Sequence, residues 1–310
     1  MLLVIRPCIH RLTNVRFHAD IVTSENARSG HVVGSHGRFV WYELITTDVA
    51  AAKAFYTKVI GWDAWDAPPP GSPYTFFTVG GATVGGLIEL TEDERRKDIQ
   101  PSWLGYVGVN DVDAAADRIK RLRGAVHVAP TNIADISRFS VFSDPQAARL
   151  ALLKWLKPGQ EQPVDPGAPG RIGWHELLAA DRETALAFYT ELFGWQKADS
   201  DQDAMGTYQL FSAAGDIIGG MLTKPQTIPV PFWLYYFNVS DIDAAAQRVK
   251  TAGGQILAGP VEIPGGSWTV FCIDLQGARF ALEGTRSRKA VGYFKRTASP
   301  SGKPERRWSW

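Results

Sequence analysis

The stretch Trp41-Tyr42-Glu43-Leu44 returns as Trp174-His175-Glu176-Leu177, 133 residues further on. The same offset carries Asp48 onto Asp181, Ala54-Phe55-Tyr56-Thr57 onto Ala187-Phe188-Tyr189-Thr190, and Gly61-Trp62 onto Gly194-Trp195. Later the offset falls to 130. Trp103-Leu104 and Tyr106 then match Trp233-Leu234 and Tyr236, and Asp111-Val-Asp-Ala-Ala-Ala matches Asp241-Ile-Asp-Ala-Ala-Ala. Gly124, Pro130, Asp144, Arg149 and Ala151 match Gly254, Pro260, Asp274, Arg279 and Ala281. Identities this numerous at two steady offsets mark an internal duplication, with loops changing length between.

Between the copies lies a run rich in proline and glycine, Lys157 to Gly170, whose composition forbids both a helix and a central strand. The expected organisation is an N-terminal extension (1–37), a first domain (38–157), a linker (158–170), a second domain (171–284) and a basic tail (285–310). The chain of 310 residues is long enough for each copy to bury its own core. Within a copy the apolar period alternates. Phe39 to Ile45 reads as a strand. Asp48 reads as a helix N-cap, with Val49, Ala52, Phe55, Tyr56 and Val59 at helical spacing and Gly61 as the stop. Strands follow at Tyr74–Val79 and Thr83–Leu90 around a Gly-Gly turn. The order then repeats: a strand at Trp103–Val109, a helix over Asp113–Arg123 stopped by Gly124, and strands near Val126, Phe139 and Leu150. Helices so short and alanine-rich are stable only when docked on a sheet. Each copy is therefore two βαβββ modules of an α+β fold.

Apolar residues make up 45% and charged residues 21%, a globular composition. The net charge of +1 hides an asymmetry, because the tail holds eight Lys or Arg and one acid while the body is mildly acidic. Such a body gives no footprint for nucleic acid. Cys8 and Cys272 do not suggest a disulfide framework, and no apolar run is long enough for a membrane span. A short apolar start, too brief for a secretion signal, makes a cytoplasmic location the expectation.

The arrangement resembles the vicinal oxygen chelate superfamily, in particular the tandem glyoxalase-like subgroup. The superfamily includes glyoxalase I, bleomycin-resistance proteins and extradiol dioxygenases. The resemblance implies that two modules curl into a cup-shaped open barrel holding a divalent metal on His, Gln or Glu ligands. Carried over position by position, three of the four ligand places fall on Trp41, Leu104 and Ala151 in the first copy. In the second they fall on Trp174, Leu234 and Ala281. Glu89 is the one possible survivor, with Thr223 opposite it. Trp, Leu and Ala have no lone pair for a cation. The expectation is thus no metal cofactor.

Strand alternation puts other residues beside the lost ligands. These are Glu43, Tyr106 and Arg149 in the first cup, and Glu176, Tyr236, Arg279 and Glu283 in the second. Glu43–Arg149 and Glu176–Arg279, with Trp41 and Trp174 in the same cups, then read either as structural ion pairs or as polar anchors under an aromatic lid. Burial would favour the protonated form of either glutamate, making Glu43 and Glu176 the candidate catalytic bases. His175 points away from the cup by parity and reads as a satisfied core histidine. Trp65 with Pro68-Pro69-Pro70 reads as core or as a flap over the cup rim, and the paired glycines at 85–86 and 219–220 as places where backbones approach. The function expected is binding or sequestration of an aromatic or amphipathic small molecule without a metal. The alternative is a glyoxalase-type lyase, isomerase or hydroxylase, with an atypical metal site or a glutamate base. The halves are expected to pack as an intramolecular pseudo-dimer in a monomer, with a homodimer also open.

Overall fold

The computed structural model describes residues 35–68, 73–96, 98–157, 165–203 and 206–286. Cys8, Pro69, Pro70 and the tail beyond Arg286 lie outside them. The first half runs β1 (Phe39–Thr46), α1 (Val49–Ile60), β2 (Asp63–Asp66), β3 (Thr75–Val79), β4 (Ala82–Glu89), α2 (Glu92–Arg96), β5 (Ser102–Gly108), α3 (Val112–Arg121), β6 (Ala125–Ile133), β7 (Ser137–Ser143) and β8 (Arg149–Trp155). The second runs β9 (Ile172–Ala179), α4 (Arg182–Phe193), β10 (Gln196–Asp203), β11 (Gly206–Ala213), β12 (Asp216–Thr223), β13 (Phe232–Val239), α5 (Ile242–Thr251), β14 (Gln255–Glu262), β15 (Trp268–Ile273) and β16 (Arg279–Gly284). Each half forms one open, eight-stranded mixed sheet, ordered β2-β3-β4-β1-β5-β8-β7-β6 and β10-β11-β12-β9-β13-β16-β15-β14. This is the α+β tandem of βαβββ modules.

The helices start where the sequence says they should. Asp48, Asp111, Asp181 and Asp241 each accept a hydrogen bond from a backbone N–H in the first turn. Gly61 and Gly194 end α1 and α4 in the left-handed region, with φ of 89° and 76°. Gly124 has another role than the expected stop. The left-handed residue after α3 is Arg123, and Gly124 is instead a point of close approach. A Cβ there would sit 2.7 Å from the Ile119 side chain and 2.8 Å from the Ser143 carbonyl.

One continuous apolar core runs through both halves, because each half lends its first helix to the other. On α1, Tyr56 donates across to Asp274 (3.0 Å); on α4, Tyr189 donates to Asp144 (3.1 Å). Behind them Trp103 donates to the Tyr56 hydroxyl and Trp233 to that of Tyr189. The Trp62 indole donates to the carbonyl of Gly170 and the Trp195 indole to that of Gly37. These reciprocal contacts have the form of a two-fold dimer interface within one polypeptide. Among the described residues, no helix is long and apolar enough to cross a membrane.

Candidate functional site

The face of each sheet turned from the helices forms a cup. In β1 the parity runs Trp41, Glu43, Ile45 into the cup, while Leu44 joins the core between the halves. The neighbouring strand aligns Tyr106 with Trp41 and Leu104 with Glu43, and β8 aligns Ala151 with Tyr106. Trp41, Leu104, Tyr106, Ala151 and Leu153 thus share one apolar cluster around Glu43. In the second half Tyr236 aligns with Trp174 and Ala281, and Leu234 with Glu176.

Glu43 is only 3% exposed, and its partners are tyrosines rather than arginine. Tyr74 donates to one carboxylate oxygen and Tyr106 to the other, both at 2.9 Å. In the second half Tyr208 and Tyr236 both donate to one oxygen of Glu176, at 2.9 and 3.0 Å, and Trp174 donates to the Tyr208 hydroxyl at 2.8 Å. Burial pushes the Glu43 carboxyl above its ordinary range, opposed by the two tyrosine bonds. It also keeps Tyr74, Tyr208 and Tyr236 neutral, so all three act as donors.

The expected Glu43–Arg149 and Glu176–Arg279 pairs need correction. Arg149 and Arg279 open their strands at exposed positions, and the Arg279 guanidinium lies over the Phe232 ring, 4.8 Å from its centre. A long, strongly hydrated side chain at a strand end is better accommodated at the rim than in an apolar cup. Glu89 also lies outside: Ile88 takes the cup face, and Glu89 bonds Arg95 at 2.5 Å on the other.

Tyr74 and Tyr208, the second donors, escaped sequence reasoning. Their signal was the glycine pairs. A Cβ on Gly86 would fall inside the Tyr74 phenol, and one on Gly220 inside that of Tyr208. These glycines let each ring lie across a strand and reach the glutamate. His175 does turn from the cup, but into the junction between the halves. Its Nδ1 donates to the Ile218 carbonyl (2.6 Å), so Nε2 accepts from Tyr42 (2.5 Å), and its ring stacks on Phe39. Burial lowers its pKa to about 4.

The two cups carry the same network but not the same contents. The first is filled. Trp65 stacks on Phe76, and the ring edges of Phe76 and Trp155 close on Trp41. At the duplicated positions the second cup has Ala198, Leu210 and Thr285, and Leu153 becomes Glu283. Correspondingly Glu43, Tyr74, Tyr106 and Leu153 are buried, whereas Glu176, Tyr208, Tyr236 and Glu283 are half-buried; Trp41 and Trp174 are half-buried alike.

The donor set does not fit the divalent site that the resemblance implies. Trp41, Leu104 and Ala151, like Trp174, Leu234 and Ala281, bring no lone pair to the places concerned. Among the described residues, no three His, Cys, Asp or Glu side chains gather where one cation could be held.

The profile of the Glyoxalase/Bleomycin resistance protein/Dioxygenase superfamily matches residues 38–152 and 171–282. The chain is 32% identical over 244 residues to CFP32 of Mycobacterium tuberculosis, whose glyoxylase name is provisional; the match covers 78% of this chain and 92% of that protein. It is 30% identical over 258 residues to the anthracycline biosynthesis protein DauV of a Streptomyces species, covering 79% and 92%. Among solved structures, the Mn(II)-bound glyoxalase from Novosphingobium aromaticivorans superposes with a TM-score of 0.57 at 16% identity, over 81% of this chain and 83% of that one. The 2,2',3-trihydroxybiphenyl 1,2-dioxygenase from Sphingomonas wittichii does so with 0.57 at 13%, over 81% and 91%. At such identities the likeness is one of fold.

Proposed function

Because this chain belongs to the glyoxalase/bleomycin resistance protein/dioxygenase superfamily, we propose that its second cup binds a planar aromatic or amphipathic small molecule, without a metal at the superfamily's positions. The observation that carries this reading is the loss of aromatic filling. Trp65, Phe76 and Trp155 occupy the first cup, and Ala198, Leu210 and Thr285 stand in their place in the second. Phe232 and Phe271, in place of Ser102 and Val141, join Trp174, Tyr208 and Tyr236 there around one tyrosine-held carboxylate. A few fixed polar groups in an apolar wall are the usual make-up of a small-molecule site. The name of DauV, an anthracycline biosynthesis protein, agrees with a flat polycyclic ligand.

A catalytic reading has one observation in its favour. Glu176 is half-buried where Glu43 is buried, and in the second cup it would serve as a general base for proton abstraction. Glu43, closed in by its neighbours, then has a structural role.

The test is tryptophan-fluorescence titration of the full chain with quinizarin, a planar dihydroxyanthraquinone. We expect saturable binding of one molecule per chain, weakened at least tenfold by Trp174→Ala and by Thr285→Trp, which refills the cup. Absence of saturable binding would overturn the proposal, as would one equivalent of manganese, iron, nickel or zinc in the untreated protein. Turnover of a ligand that Glu176→Gln abolishes would establish the enzyme instead.

A further inference from the structure

We infer that the ligand of the second cup carries a positive charge, a protonated amine beside its aromatic body, and that Glu283 selects for it. This rests on the second cup being the ligand site and names the class of ligand it takes.

Glu283 follows Ala281 at the same parity on β16, and so faces the cup, between Asn238 of β13 and Thr269 of β15. Its counterpart in the first half is Leu153, a buried member of the apolar cluster there. The duplication has therefore exchanged a greasy side chain for a carboxylate at one cup position. Glu283 acts electrostatically on the hydroxyls of Tyr208 and Tyr236, the two groups that hold Glu176. Two carboxylates thus flank one pair of phenols in a single aromatic concavity. Burial disfavours the charged form of Glu283, and a Ser267 hydrogen bond offsets this only in part.

A half-buried carboxylate is costly to keep ionised without a cation. Neither of the arginines nearest in the chain is paired with Glu283. Arg286 makes a two-fold bond to Asp243 with its guanidinium over Trp268, and Arg279 lies over Phe232. Among the described residues Glu283 enters no ion pair, and Asn238, Thr269, Ser267, Tyr208 and Tyr236 beside it carry no positive charge, so an ammonium is a fitting complement. It would gain a charge-assisted bond from Glu283 and the attraction of aromatic faces, while the ring system covers Trp174 and Tyr236.

The test compares two fluorescent probes of one shape, 9-(aminomethyl)anthracene, which is an ammonium at neutral pH, and 9-(hydroxymethyl)anthracene, which is neutral. Both are titrated into the full-length protein and into Glu283→Gln, whose folding is checked by its melting temperature. We expect the amine to bind wild type at least tenfold more tightly than the alcohol. The variant should bind both at the alcohol's level, and its alcohol affinity should stay within twofold of wild type. Equal wild-type affinity for amine and alcohol would overturn the charge inference and leave the aromatic site standing. An amine preference that survives Glu283→Gln would refute the role of Glu283, and binding of neither probe would sink the site and the inference together.

Discussion

The Tyr42 hydroxyl donates to Nε2 of His175 across the junction between the halves, and the two residues occupy the same position in the two repeats. A duplicated site has thus diverged into a complementary couple. A second couple lies beside it: Gly105 and Tyr235 also correspond, and the Gly105 N–H donates to the Tyr235 hydroxyl at 2.7 Å. Two copies of either half alone would bring like against like at both places, phenol on phenol and glycine on glycine, or imidazole on imidazole and phenol on phenol. The junction therefore favours one half paired with the other.

His175 gives this junction a pH dependence of known sign. Its pKa falls from 6.5 to about 4 in the folded chain, so the unfolded chain binds a proton in that window which the native state refuses. Stability should rise as pH increases from about 4 to 6.5 and be lost progressively on acidification, by roughly 3 kcal/mol from this group. Buried acids such as Asp144 and Asp274, with raised pKa values, act in the opposite sense. The difference between wild type and His175→Phe isolates the histidine. Urea melts at pH 4.5 and 7 should show the variant less stable at both, with a smaller gap at the lower pH. A gap independent of pH would refute the assignment.

Gly105 should tolerate no side chain. A Cβ there would lie 2.7 Å from the Tyr235 hydroxyl and 2.9 Å from the Phe39 ring. Gly105→Ala is expected to cost about 1–3 kcal/mol by overpacking. Tyr235→Phe in the same chain should recover part of this loss by removing the oxygen in conflict. Thermal melts of the four chains form the double-mutant cycle, and strict additivity would contradict the contact.

The bonds from Tyr56 to Asp274 and from Tyr189 to Asp144 make the halves thermodynamically inseparable. Calorimetry should show one unfolding transition for the full chain. Tyr56→Phe removes a donor from a buried carboxylate and an acceptor from the Trp103 indole, at an expected cost of about 1–3 kcal/mol. Two resolved transitions in wild type would mean that the shared core does not couple the halves.

The duplicated glutamates should respond unequally to the same change. Both oxygens of Glu43 accept phenol hydrogen bonds in a buried setting, so Glu43→Gln places an amide donor against a donor and should lower stability by about 1–3 kcal/mol. Glu176 sits half-buried with both phenol bonds on one oxygen, and Glu176→Gln should cost less. Denaturant midpoints decide, and equal losses would remove the distinction between a closed and an open cup.

Much of the fold was legible because the sequence states it twice. The Asp N-caps, the glycines at 61 and 194, and strand parity around Glu43 and Glu176 are local signals, and local geometry obeyed them. The failures have a common cause. Arg149 and Arg279 share the glutamates' face by parity, yet parity does not say how far along a strand the apolar cup extends, and a guanidinium at a strand end leaves for the rim. Tyr74 and Tyr208 stand one strand beyond the glutamates' neighbour, and alternation does not say that a ring there reaches across the strand between; only Gly86 and Gly220 betray it. The unequal cups depend on Trp65, Phe76 and Trp155, which are distant in sequence and meet only when β2, β3 and β8 curl together. That inequality could be read from the repeat alignment only after the cup residues had been identified.

Each half also grips the start of the other. The Trp62 indole holds the carbonyl of Gly170 just ahead of β9, and Trp195 holds that of Gly37 just ahead of β1. The clasp is made by side chains and backbone oxygens that lie on either side of the segment 158–164 in the chain. A protease cut there would therefore leave two fragments that travel as one particle on a sizing column. New chain ends, or an inserted domain, should be accepted at that place.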